Sequence, residues 1–185
     1  MQRYAQTVTG PIPAEELGLV LMHEHILCDL RQPEERGPAD RHPPITLANR
    51  FATDYFQNRN PLNMLLDEDE VATVELERFR AAGGGSIVEL TIGGIAPQPE
   101  RLRSIATASD VHIVAGAGFY VDAYLDDAVR AMTGDALAAL IESQLTTGLW
   151  GTTVKAGIIG EIGCSWPLTP TEQRVLEAAA RVSAA

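Results

Sequence analysis

Two histidines one residue apart, His23 and His25, close the apolar run Leu19-Val20-Leu21-Met22. An extended strand turns alternate side chains to opposite faces, so both imidazoles share one face and Glu24 takes the other. Paired imidazoles at the C-terminal end of a buried strand can grip a divalent metal, and parallel α/β folds build their sites at that end. The competing reading is two histidines that merely end a strand, each satisfied by hydrogen bonds. Spacing and position favour ligation. A second candidate is Glu161, the one acid in Ile158-Ile159-Gly160-Glu161-Ile162-Gly163. Burying a carboxylate without a partner is costly. At the end of an apolar strand it is therefore either a ligand or half of an ion pair with an arginine. The flanking glycines leave room for close approach, which favours the ligand.

Other polar groups read differently. Asp29 could orient an imidazole from behind, but a loop charge is the preferred reading. Glu89 lies within a strand and reads as structural. His112 begins a strand, the wrong end for a site, and His42 stands in a featureless loop. Gly116-Ala117-Gly118 follows a strand, but Val121 takes the place of the last glycine of a dinucleotide fingerprint and no helix opens there. Gly83-Gly84-Gly85 precedes a strand, so it reads as a turn and not a phosphate cradle. Trp150 and Trp166 read as packing, although Trp166 follows Glu161 closely enough to line a pocket.

The elements that must position these groups alternate. Residues 19–22 form the body of a first strand, continuously apolar and so expected to be buried on both faces. Further strands are expected at 86–91, 111–116 and 156–162. Helices are expected at 67–82, 98–108, 134–147 and from about 170 to the end. The first carries acids at its start and an apolar stripe of Val71, Val74, Leu76 and Phe79. The last opens with Thr169 and Glu172 in a capping-box pattern. Residues 7–16 are turn-like, and 31–63 form a long loop, functional or holding short helices. The β-α-β-α-β-α-β-α order means a parallel sheet with crossovers. It fits a small doubly wound sheet or half of a (β/α)₈ barrel, which needs roughly 250 residues when whole.

Composition narrows the function. The 185 residues suit one domain and carry 25 acids against 14 bases, a net charge of −11. That balance argues against nucleic acid and against an anionic membrane surface. No apolar run approaches the ~20 residues of a membrane helix, and the N-terminus shows no signal-peptide core. The two cysteines, Cys28 and Cys164, read as reduced thiols in a cytoplasmic protein.

Several segments together resemble the phosphotriesterase-related family of the amidohydrolase superfamily. They are Thr9-Gly10-Pro11-Ile12 with Leu21-Met22-His23-Glu24-His25-Ile26-Leu27, then Ala82-Gly83-Gly84 with Ile87-Val88-Glu89-Leu90-Thr91. They continue with His112-Ile113-Val114-Ala115-Gly116, Gly118-Phe119-Tyr120 and the run from Lys155 through Thr169. The resemblance implies a single partial domain, residues 1–185. It would comprise the N-terminal half of a (β/α)₈ barrel, with four parallel strands in the order 1-2-3-4. It implies two divalent metals, commonly zinc, in a complete site, with His23 and His25 on the first.

The bridging ligand belongs to strand four, a carbamylated lysine in phosphotriesterases proper and a glutamate in the related branch. Lys155 is the only lysine. It begins strand four, roughly 20 Å from the strand's other end at ~3.3 Å per residue, so the bridge falls to Glu161. Where relatives carry Arg-Asp-Pro after strand two, this chain has Ala96-Pro97-Gln98-Pro99.

The implied activity is hydrolysis of a small-molecule ester, lactone, amide or phosphotriester by a metal-bridging hydroxide. The family's remaining two histidines and its strand-eight aspartate belong to the second half of the barrel. The expectation is thus three metal ligands, no catalytic aspartate, and a chain inactive alone. The alternative is a non-catalytic fragment or partner subunit. It would self-associate, or pair with a C-terminal half, through the open sheet edges.

Overall fold

The protein is described by a computed structural model covering residues 3–36, 43–56 and 60–185; His42 lies outside the described residues. The turn-like N-terminal stretch is an antiparallel hairpin, β1 (Tyr4–Thr7) and β2 (Gly10–Pro13). Its tip needs Gly10, whose φ of +125° disfavours any side chain. The Val8 N–H donates to Ile113 O at 2.8 Å, and a Cβ on Gly157 would run into the Gln6 carbonyl oxygen. The hairpin thereby closes the N-terminal end of the main sheet.

That sheet holds β3 (Leu19–Glu24), β6 (Gly84–Glu89), β7 (His112–Ala117) and β8 (Ile158–Ile159), all parallel, in chain order. Between β3 and β6 lie β4 (Cys28–Asp29) and β5 (Leu65–Leu66), paired antiparallel, and a short helix α1 (Arg50–Tyr55). The described part of the long loop thus contains structure of its own, including 3-10 turns at 33–35 and 61–64. The expected strand at 156–162 pairs over only two residues, because glycines on both sides of Ile158-Ile159 lead it into irregular backbone.

Helices α2 (Asp69–Ala81), α3 (Pro99–Ser109), α4 (Asp127–Arg130), α5 (Gly134–Thr146) and α6 (Pro170–Ser183) complete the chain. Most of the core lies between sheet and helices: Leu102, Ile105 and Ala106 of α3, Leu137 and Ile141 of α5 and Val175 of α6 pack with Ile87, Ile113 and Ala115. Val88, Leu90 and Val114 form a smaller cluster with Val20.

Two expectations about burial fail for one reason. Leu19 and Met22 of β3 are 61% and 62% exposed, and Val71 and Val74 of α2 are exposed too, leaving Leu76 and Ala72 as the buried face. β3 is an edge strand, and no described strand pairs with its far side.

The turn into α6 is fixed by Glu172, buried and part of a complete capping box with Thr169. Its Oε2 accepts from the Thr169 N–H at 2.9 Å and the Ser165 hydroxyl at 2.7 Å, and its Oε1 from the Asp122 N–H at 2.9 Å. Burial alone would raise its pKa. Those donors outweigh burial and hold the carboxyl at about 2, so it remains an anion and ties the segment after Glu161 to α6 and to the Val121–Asp122 turn.

Candidate metal centre

The β3–β6 ladder shifts register twice, between Leu19 and Val20 and between Leu21 and Glu24, and the second shift aims the histidines. Leu21 pairs with Ile87 and Glu24 with Glu89, so three steps along β3 match two along β6. Paired residues in a parallel ladder share a face. Leu21 and Glu24 therefore look the same way, toward the groove against α2 that both line. The extra residue is a β-bulge, a device that re-aims a side chain at a strand end. Strict alternation from Val20, which packs on the inner cluster, would put Glu24 inside. The bulge turns Glu24 outward and leaves His23 and His25 to the concave side.

Glu161 arrives there from the opposite edge. It follows β8 by two residues, next to Gly160 with φ +120°. Its Oε2 lies 3.1 Å from His23 Nε2 and its Oε1 lies 3.7 Å from His25 Nε2. In a flat sheet, edges separated by three strand spacings would stand roughly 14 Å apart. Convergence of their side chains means the sheet is curled, and this decides for a half barrel over a doubly wound sheet. One ligand atom from each of the three residues lies within 4.8 Å of the others, the one such group among the described residues. The partner of Glu161 is this histidine pair; the ion pair with an arginine is not formed.

The donors suit a metal. Burial lowers the pKa of His25, aided by His23 and opposed by Glu161 and Glu24, so its imidazole favours the neutral ligating form. His25 Nδ1 lies 3.0 Å from the Thr91 hydroxyl, which leaves Nε2 turned to Glu161. Behind them sits Glu89, fully buried. Its Oε1 accepts from the Ile26 N–H at 3.3 Å and its Oε2 from the Thr91 N–H at 3.2 Å. It thereby ties the end of β3 to the end of β6. Burial raises its pKa to about 7 against the hydrogen bonds from Thr91 and Ile26.

That shift has a sign. Folding favours the neutral acid, so the contribution of Glu89 is complete below its unfolded value of 4.5 and is lost as pH rises through about 7. The metal-free chain should lose on the order of 3 kcal/mol across that window from this group. Urea melts of the chain and of Glu89→Gln at successive pH values check it, and equal slopes in both would refute it.

The other candidates lie elsewhere. Asp29 serves no imidazole; it is buried against Arg31, with Nε to Oδ1 at 2.9 Å and Nη2 to Oδ2 at 2.8 Å. Lys155 stands three residues before β8, at the end away from the triad. His112 begins β7 at that same far end. Trp150 packs edge-on against Phe119, whereas Trp166 is 96% exposed. Gly116 and Gly118 serve close packing: a Cβ on Gly116 would fall on the Gly160 carbonyl oxygen.

The sequence matches the phosphotriesterase family over residues 3–185. The chain belongs to the phosphotriesterase family. Among curated relatives, the N-acetyltaurine hydrolase of Xenopus tropicalis is 43% identical over 181 residues, covering 95% of this chain and 52% of that protein. A resiniferatoxin-binding protein from Rhodobacter sphaeroides superposes with a TM-score of 0.90 at 34% identity, over 98% of this chain and 52% of that one. A lactonase from Listeria monocytogenes shares the fold, with a TM-score of 0.77 at 23% identity over 98% of this chain and 54% of its own. The phosphotriesterase-family chain described here thus spans about half the length of the relatives it matches.

Sequence reasoning read Glu89 as structural, as its bonds to the Ile26 and Thr91 N–H groups show it to be, but did not single out Thr91 or place either residue beside His25. A signal was present, because the cost of a lone buried carboxylate that marked Glu161 applies equally to an acid in Ile-Val-Glu-Leu-Thr.

Proposed function

We propose that this chain is one partial domain, residues 1–185, of a metal-dependent hydrolase that cleaves an amide, ester, lactone or phosphotriester bond of a small molecule. The observation that carries the proposal is the convergence of His23, His25 and Glu161 at the C-terminal ends of the curled sheet. His23 and His25 would hold the first divalent ion, zinc by donor type, and Glu161 would reach across to share a second in the complete site. Metal bound there would supply Lewis-acid polarisation of the scissile group and an activated water.

The chain's own residues do the rest. The bulge in β3 fixes the imidazoles on the concave face, and Glu161 adds the negative charge that a dication needs. At 56% side-chain exposure His23 leaves the site open on the side of the sheet edge. No described residue stands beside the triad as a further His, Cys, Asp or Glu ligand, so we take the chain alone to be inactive. A cytoplasmic location is part of this reading, both thiols being free.

The substrate class follows from the 43% identical relative, whose name specifies an N-acyl amide of an amino sulfonate. The test is direct. The 185-residue chain is assayed for bound zinc and for turnover of N-acetyltaurine, a lactone and a phosphotriester. Bound zinc without turnover is the expected result. Stoichiometric zinc with turnover would overturn the inactive-half reading, and no affinity for zinc or other divalent ions would overturn the metal reading.

The edge itself favours a partner. Leu19, Leu21 and Met22 of β3 and Ile158 of β8 are exposed. A groove of about 440 Å³ runs between β3 and α2, lined by Leu21, Val71, Leu76 and Phe79. A second half-barrel, as the relatives' length implies, would cover both, and pairing through these edges is the partner reading we propose.

A further inference from the structure

We infer that Gln144, buried in α5, is a positioning residue for Glu161: its side chain sets the end of β7 on which the Glu161 segment is laid. The inference rests on the metal reading above and deepens it.

Among its neighbours the residue is out of place. Leu137 and Ile141 of α5 face the core, and Gln144 follows Ile141 by three residues, on the same face and fully buried. An amide buried there costs free energy unless both its ends are bonded. Oε1 accepts the Gly118 N–H at 2.9 Å, while Nε2 has no partner among the described residues. A side chain kept at that cost has its use at the bonded end.

Gly118 is where β7 leaves its ladder. β7 pairs with β8 through Gly116 and Ala117, and the backbone then turns at Gly118 with φ +130°. Gly118 is buried, and its N–H goes to the helix and not to a strand. The residues around this turn hold Glu161 on both sides. The Gly160 N–H donates to Ala117 O at 2.8 Å and the Gly163 N–H to Phe119 O at 3.1 Å. Ile162 lies so close to Gly118 that a Cβ there would fall on its Cδ1. Residues 117–119 are thus the template for 160–163, and Gln144 holds their middle.

The main chain of Gln144 holds the other end of the same segment. Its carbonyl accepts the Ala156 N–H at 3.0 Å, two residues before β8. One helix residue therefore fixes the lead-in and the outlet of the strand that delivers Glu161 to His23 and His25, at 3.1 and 3.7 Å. Ligand geometry must be held within about 0.5 Å to be effective.

The test compares Gln144→Met, which keeps length and volume without the acceptor, with Gln144→Glu, whose carboxyl offers the Gly118 N–H an oxygen in either protonation state. Zinc affinity is read by chelator competition, well below the melting temperature of each chain. It should weaken about tenfold or more in Gln144→Met, the scale of a lost supporting partner, and recover in Gln144→Glu. Burying an acid destabilises, so the glutamate chain should melt below the unsubstituted one yet keep its zinc affinity. A merely structural role would lower both together. In the metal-free chain, the amide resonances of Gly160 to Gly163 should move in Gln144→Met and stay near their places in Gln144→Glu. Undiminished zinc affinity in a folded Gln144→Met overturns the inference, as do unmoved resonances. Should the methionine chain fail to fold, amide exchange in the unsubstituted chain decides. Coupling is reciprocal, so zinc should slow exchange at Gly118 more than at Leu102 in α3, and equal slowing overturns the inference. A chain that binds no zinc at all would sink the metal reading, while the resonances of Gly160 to Gly163 would still judge Gln144.

Discussion

Glu161→Gln is expected to weaken zinc binding by about a hundredfold or more, since losing a ligand exceeds the roughly ten- to hundredfold effect of losing a ligand's supporting partner. Glutamine keeps the length and the packing but removes the charge and one good donor oxygen. Among the described residues, Glu161 is the one acid that reaches both His23 and His25, at 3.1 and 3.7 Å. Without it two imidazoles remain, one of them more than half exposed. Isothermal titration of zinc into both chains measures the difference, with Lys155→Ala as the control expected to match the unsubstituted protein. Equal affinities for the glutamine variant, or loss of binding in the lysine variant, would remove Glu161 from the centre.

Gly116→Ala should be the most damaging single methyl in the sheet. A Cβ there lands on the Gly160 carbonyl oxygen, which is backbone and has no side-chain freedom to yield. Gly116 pairs with Ile158, and β8 is only two residues long, so the clash must be relieved by moving the segment that carries Glu161. Overpacking of this kind costs about 1–3 kcal/mol, which for a chain of this size lowers the melting temperature by roughly 3–10 °C. Zinc affinity should fall together with stability, because the displaced segment is the third ligand's support. Gly134→Ala is the matched control. Its Cβ would meet only the end of the Arg181 side chain, at an ordinary 3.5 Å, and a melting temperature within a degree or two is expected. A Gly116→Ala chain that melts with the control and binds zinc normally would show that the strand can shift freely.

The legible parts of this molecule were those governed by local chemistry. Apolar runs flanked by helices with Leu102, Ile105, Leu137 and Ile141 inward described the sheet and its helices, and Thr169 with Glu172 described the start of α6. The grouping of His23, His25 and Glu161 was legible because paired imidazoles and a lone carboxylate in an apolar run point to a shared task. What escaped depends on long-range pairing. The bulge in β3 exists only relative to its register against β6. The exposure of Leu19 and Met22 follows from what lies beyond an edge, which no periodicity within residues 19–22 can reveal. The hairpin at Tyr4–Pro13 was hidden by its two prolines and by strands of four residues each, too short for a period to show. The roles of Glu89 and Thr91 stayed hidden because their partners, Ile26 and His25, lie just past the end of β3, far away in the chain.

The hairpin also sets an order of events during synthesis. It leaves the ribosome before its docking sites, since Ile113 lies in the third of the four sheet strands and Gly157 just before the fourth. At about 5–20 residues per second the wait for Ile113 is on the order of 10 s. Through that interval β1 and β2 have only each other, and an isolated hairpin is marginal in water. The hairpin that closes this end of the sheet is thus written before the strands it closes and is laid only once the third of them exists.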